Sequence, residues 1–142
     1  HFLQERVLFL ADLDLVKFGP YYGDRESSID DTINSLNRLA EIDVDVYLVS
    51  HGKEPVLEGD PVHIQRYLDV LYKREEKLLE FISSGPKSVT DVVAHGIIYG
   101  GHTLSSGAWD LSMSEESMMR KHLDRLERLG KIRAEDNLYH LM

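Results

Sequence analysis

Arg6-Val7-Leu8-Phe9-Leu10-Ala11-Asp12 decides how this chain is read. Continuous apolarity over so short a run suits a β-strand covered on both faces. The run ends in an acid, and Asp14 follows. A second apolar run, 44–49, ends at Ser50-His51-Gly52. Between them lie a Gly- and Pro-bearing loop, Phe18-Gly19-Pro20-Tyr21-Tyr22-Gly23, and a helical pattern. Ser27 or Ser28 can cap that helix, which runs to about Ile42 with Ile29, Ile33, Leu36, Leu39 and Ala40 on one face. The order is strand, helix, strand. Both strands deliver polar residues at their C-terminal ends, where ligand sites of α/β folds lie.

Downstream, Asp60-Pro61 marks a helix start, with Asp as cap and Pro in the first turn. Apolar residues continue at helical spacing through Ile64, Leu68, Leu71, Leu78, Leu79 and Ile82. Ser83-Ser84-Gly85-Pro86 breaks the pattern. Beyond it, Ser88 can cap a short helix over 89–95, and 96–111 reads as a Gly-rich loop. Ser114 can cap a helix over 115–129 that Gly130 ends. Two short apolar stretches then flank a turn at Glu135-Asp136-Asn137, a small hairpin. Helices followed by a hairpin make the winged-helix arrangement. Three parts are expected: 1–60 with the two strands, a linking helix at 61–84, and a winged-helix-like domain at 85–142.

The chain has 142 residues, 42% hydrophobic, enough for a packed core. It has no cysteine, which excludes disulfide scaffolds and thiol catalysis and suits a reducing cytoplasm. No apolar run approaches the ~18 residues of a membrane span. No secretory leader is visible, so a cytoplasmic protein without a membrane partner is expected. The net charge of -9 argues against generic nucleic-acid binding. That charge is uneven. Residues 1–84 hold 9 Lys and Arg against 17 Asp and Glu, while 85–142 hold 7 against 8. The last helix carries Arg120, Lys121, Arg125 and Arg128. Glu115, Glu116, Asp124 and Glu127 nearly cancel them, so a self-paired, solvated face is the default.

Asp12 and His51 are the candidate metal ligands. Each ends a strand, and a carboxylate and an imidazole are standard ligands for zinc and similar ions. Both also have an ordinary use, Asp capping a turn and His-Gly making one. Two ligands fall short of the three or four of a zinc site. Tyr21 and Tyr22, with Phe18, are candidates for the floor of a substrate pocket, or they pack under their own loop. Asp14 reads as a turn cap or as a second acid beside Asp12.

Leu8-Phe9-Leu10-Ala11-Asp12 resembles the leucine-phenylalanine-x-glycine-aspartate strand motif of the metallo-β-lactamase superfamily. Val49-Ser50-His51-Gly52 resembles that family's proline-glycine-histidine-glycine motif. Arg74-Glu75-Glu76, followed by Gly85-Pro86, resembles the arginine-glutamate motif that precedes a winged-helix appendage in some of its hydrolases. The resemblance covers nearly the whole chain. It implies an α/β (α+β) fold: the C-terminal half of an αββα sandwich followed by a small winged-helix domain. It implies that Asp12 bridges two divalent metal ions, preferably zinc, and that His51 ligates the second. The implied reaction is hydrolysis of an ester, thioester or phosphodiester, on a small-molecule or nucleic-acid substrate.

The sequence departs from the family in three places. Ala11 and Ser50 each replace a glycine, both mild changes. The histidine-x-histidine-x-aspartate-histidine motif is absent and would lie upstream of His1. The chain is therefore expected to be the C-terminal part of a larger hydrolase, inactive alone. Its partners would be the missing N-terminal half or, in isolation, further copies of itself in a homo-oligomer that rebuilds the sheet. The alternative is a winged-helix module that binds nucleic acid or protein.

Overall fold

The protein is described here by a computed structural model, which covers residues 2, 4–51, 53–100 and 111–142. β1 (Val7–Ala11), α1 (Ile29–Ala40) and β2 (Val46–Val49) form the expected strand–helix–strand unit, with β1 and β2 parallel. The sequence pattern did not reveal β3 (Val56–Glu58), which pairs antiparallel to β2 and completes a three-stranded sheet of order β1-β2-β3. At three residues β3 is too short to show a periodicity. α2 (Pro61–Ser83) follows, and its start is capped as expected: Asp60 Oδ1 accepts the Val62 N–H at 2.9 Å. No helix among the described residues is long and apolar enough to cross a membrane.

The strands are not apolar-buried on both faces. In β1, Leu8 and Leu10 are buried, whereas Phe9 is 52% exposed. In β2, Tyr47 and Val49 are buried, and Val46 and Leu48 only partly. The register pairs Val7 with Val46, and Phe9 with Leu48 and, across β2, Val56. Cross-strand partners share a face. The second face of the sheet is therefore apolar and open among the described residues.

The register of β1 on β2 slips between Phe9 and Ala11. This irregularity sets Ala11 at φ 51°, in the left-handed region. Glycine enters that region freely, whereas a β-carbon there costs roughly 1–2 kcal/mol. The alanine standing where the resembling family carries glycine is thus a strained residue, not a mild change.

By its internal contacts the chain forms two compact units. One is His1–Pro20 with Asp31–Tyr72; the other is Tyr21–Asp30 with Lys73–Met142. The dividing line crosses α2 at residues 72–73, and residues 21–30 belong with the C-terminal unit.

That unit contains the end of α2, α3 (Val89–His95), α4 (Ser112–Arg128) and the antiparallel hairpin of β4 (Ile132–Glu135) and β5 (Leu138–Leu141). α3 has the Ser88 cap expected and a second cap at its end. Ser88 and Asp91 make a capping box, and Gly96 closes the helix at φ 66°. Asp136 and Asn137, with φ of 51° and 62°, make the hairpin turn. Lys87 exchanges backbone hydrogen bonds with Tyr139 and so adds a rung to the hairpin. The start of α4 differs from expectation. It begins at Ser112, and its cap position, Leu111, offers no side-chain cap. Glu115 is buried and accepts the N–H groups of Ile98 and Tyr99. Leu78, Ile82, Val92, Met119, Leu123, Leu126 and Ile132 form the core.

Candidate functional site

Adjacent parallel strands bring their C-terminal ends together. Ser50 donates its backbone N–H to the Ala11 carbonyl at 2.9 Å, which fixes the residues that follow as neighbours. His51 Nε2 lies 3.4 Å from Asp12 Oδ1. The side chains are 67% and 88% exposed, so their mutual attraction adds little stability. The two candidate ligands are therefore side by side and accessible. An imidazole nitrogen and a carboxylate oxygen suit a divalent ion in kind. They do not suffice in number: among the described residues no group of three or more metal-ligating side chains occurs. Asp14 Oδ1 is buried without a hydrogen-bond partner, and the residue joins no such group.

The aromatic candidates separate. Tyr21 is 53% exposed. Tyr22 is 1% exposed, packed under its loop with its hydroxyl engaged. His95 stacks on Phe81 with ring centroids 4.0 Å apart, and His102 lies outside the described residues.

Tyr22 opens onto a buried polar cluster within the C-terminal unit. Its hydroxyl is 2.5 Å from His122 Nε2 and accepts from Arg74 at 3.0 Å. His122 Nδ1 is 3.3 Å from Glu75 Oε1. Arg125 Nη1 donates to both oxygens of Glu75, at 2.7 and 2.8 Å, and its Nε donates to Asp30 at 2.8 Å. Arg128 reaches the other Asp30 oxygen at 2.6 Å.

The titration of these groups follows from their surroundings. Burial lowers the His122 pKa, against the pull of the Glu75 carboxylate. Burial would raise Glu75, but hydrogen bonds from His122 and Arg125 outweigh it and hold the carboxyl below its ordinary value. Partial burial would likewise raise Asp30, but Arg128 and Arg125 hold it low. Burial pushes the Tyr22 phenol up to about 12.

The sequence reading singled out Arg74-Glu75 but missed His122. Its one signal was a histidine on an apolar helix face, between Met119 and Leu123. The cations of α4 all have partners within the unit. Arg120 pairs with Glu116; Lys121 donates to the carbonyls of Asp24 and Ser27; Arg125 and Arg128 hold Asp30. These are the cations a groove-reading helix would need for phosphates.

No protein-family model matches the sequence, and no curated protein sequence is similar to it. Solved structures are similar. A metallo-beta-lactamase family protein from Thermus thermophilus superposes with a TM-score of 0.76 at 21% identity, over 98% of this chain and 43% of that one. The chain has the fold of part of a metallo-β-lactamase-type structure. A beta-lactamase domain protein from Burkholderia ambifaria gives a TM-score of 0.66 at 20% identity, over 96% of this chain and 41% of its own. The chain thus spans about two fifths of the length of these metallo-β-lactamase-fold structures.

Proposed function

We propose that this chain is the C-terminal part of a metal-dependent hydrolase of the metallo-β-lactamase superfamily, acting on an ester, thioester or phosphodiester. The observation that carries the reading is the Asp12–His51 pair, set 3.4 Å apart and exposed at the ends of two parallel strands. In this reading Asp12 and His51 are two ligands of a site for two divalent ions, zinc preferred, and upstream histidines complete it. Bound ions of this kind supply a water acidic enough to act as nucleophile near neutral pH. Tyr21, exposed on its loop, is the residue of this chain offered to substrate. Among the described residues the ligands are too few, and in this reading the chain alone is inactive.

The open sheet face fits the same account. Val7, Phe9, Val46, Leu48 and Val56 form an apolar surface that a second sheet would cover. In the parent that sheet comes from the N-terminal part; in isolated chains a second copy takes its place. The three helical segments and hairpin of the C-terminal unit read as a winged helix. With Arg125 and Lys121 tied to the rest of the unit and Arg120 and Arg128 paired with acids at the surface, we read its role as structural rather than base-reading. The reading is tested by the coding sequence immediately upstream of residue 1. It should encode histidine-x-histidine-x-aspartate-histidine in frame; a stop codon or an unrelated domain there would overturn it.

A further inference from the structure

Residues 21–30 leave the unit to which their chain neighbours on both sides belong and join the C-terminal one. They are tied there along their length. Ser117 donates to the Gly23 carbonyl, and Lys121 donates to those of Asp24 and Ser27. Asp30 is held by Arg125 and Arg128. At the buried end stands the Tyr22–His122 hydrogen bond.

The protons in that buried end can be placed. Arginine only donates, so the Tyr22 oxygen accepts from Arg74, and Glu75 accepts from Arg125. The single Tyr22 proton then goes to the nitrogen facing it, His122 Nε2. The remaining ring proton sits on Nδ1, directed at Glu75. The chain of donors and acceptors closes with a neutral imidazole. A second ring proton on Nε2 would face the phenol proton of Tyr22. The displaced phenol proton would need a new acceptor, and the imidazole is fully buried, so no water stands ready beside it.

We propose that residues 21–30 are an acid-released strap: protonation of His122 breaks its hydrogen bond with Tyr22 and frees the strap from α2 and α4. The inference does not depend on the hydrolase reading. The groups facing His122 are Tyr22 on the strap, Arg74 and Glu75 on α2 and Arg125 on α4. Asp30 and Arg128 stand behind Arg125, and Glu115 near Tyr22 is engaged with backbone N–H groups. Tyr22 titrates far above neutrality, and Glu75 and Asp30 below their ordinary values, which leaves His122 as the group of this cluster that changes charge in mild acid. The sign follows from linkage. The strapped state keeps the imidazole neutral, and the released state binds a proton near the ordinary value of 6.5. Release is therefore suppressed above that value and promoted below it. Going from pH ~7.5 to ~5.5, the opening equilibrium rises about tenfold.

Hydrogen exchange on the whole chain tests this, with rates corrected for the intrinsic pH dependence. Peptides covering 22–30 should show the roughly tenfold rise in opening while the core of α4 stays protected. No rise in those peptides overturns the proposal. His122→Gln keeps a neutral donor for Glu75 and an acceptor for Tyr22, and should hold the strap equally at both pH values. A wild-type rise in that variant would also overturn it. Should His122→Gln not fold, NMR titration of the wild-type imidazole decides: its midpoint must coincide with strap opening. A ring that charges while 22–30 stays protected refutes the mechanism.

Discussion

Arg125→Met should lower the stability of the chain by about 3 kcal/mol. The guanidinium spans two carboxylates, donating to both oxygens of Glu75 and, through Nε, to Asp30. The Arg125 side chain is 13% exposed and that of Glu75 9%, so this half of the link is shielded from water. Asp30 is 36% exposed, and its half contributes little, as surface pairs do. Removing one partner of a buried pair costs roughly 3–5 kcal/mol, because the other charge is left stranded. The lower end applies here, since the His122 Nδ1–H remains 3.3 Å from Glu75. The same logic makes the double variant informative. Adding Glu75→Gln to Arg125→Met removes the stranded charge, so the pair of changes should cost less than the sum of the single ones by more than about 1 kcal/mol. Urea unfolding followed by circular dichroism supplies the numbers, with the slope checked for constancy. A loss under about 1 kcal/mol for Arg125→Met, or strict additivity, would refute the claim that this cluster is a coupled buried network.

Further outcomes are expected. Ala11→Gly should stabilise the chain by roughly 0.5–1 kcal/mol in urea unfolding, since relief of the left-handed strain exceeds the entropy glycine adds to the unfolded state; a loss would contradict the strain. Gly59→Ala should destabilise by more than about 2 kcal/mol, because its β-carbon would stand 2.1 Å from the Val44 carbonyl oxygen; thermal melting reads this. Acid should begin to cost stability in the ordinary carboxylate range and go on doing so below it. Glu75 and Asp30 bind protons less readily when folded, so their stabilisation is complete at higher pH and drains away as pH falls through their folded values. Arg125→Met should flatten that dependence in a pH series of melts. Phe9→Glu should turn a concentration-dependent oligomer into a monomer in analytical ultracentrifugation; a wild-type chain already monomeric at all concentrations would remove the docking role of the open sheet face.

Much of the fold was legible because its signals are local. The apolar runs ending in Asp12 and at Ser50-His51 announced two strands with converging ends, and Ser88 announced the helix over 89–95. β3 escaped because three residues carry no period, and it exists through its pairing with β2. The start of α4 was misplaced because Ser114 looked like a cap, whereas the helix begins at Ser112 with no side-chain cap. The buried cluster was the least legible part. Tyr22, Asp30, Glu75 and His122 are far apart in sequence, and nothing in the sequence pairs them. Only the tertiary fold makes them partners. The expected two-sided burial of the strands did not hold for a related reason: an apolar run does not say which of its faces the rest of the chain covers, and Phe9 and Val56 are exposed.

The most direct test of the central claim is the metal content of the protein expressed from its coding region extended upstream of residue 1. The account predicts two divalent ions per chain, and a loss of metal and of hydrolysis with either Asp12→Asn or His51→Ala. An extended protein that binds its metal and turns over substrate unaltered by both substitutions would contradict it.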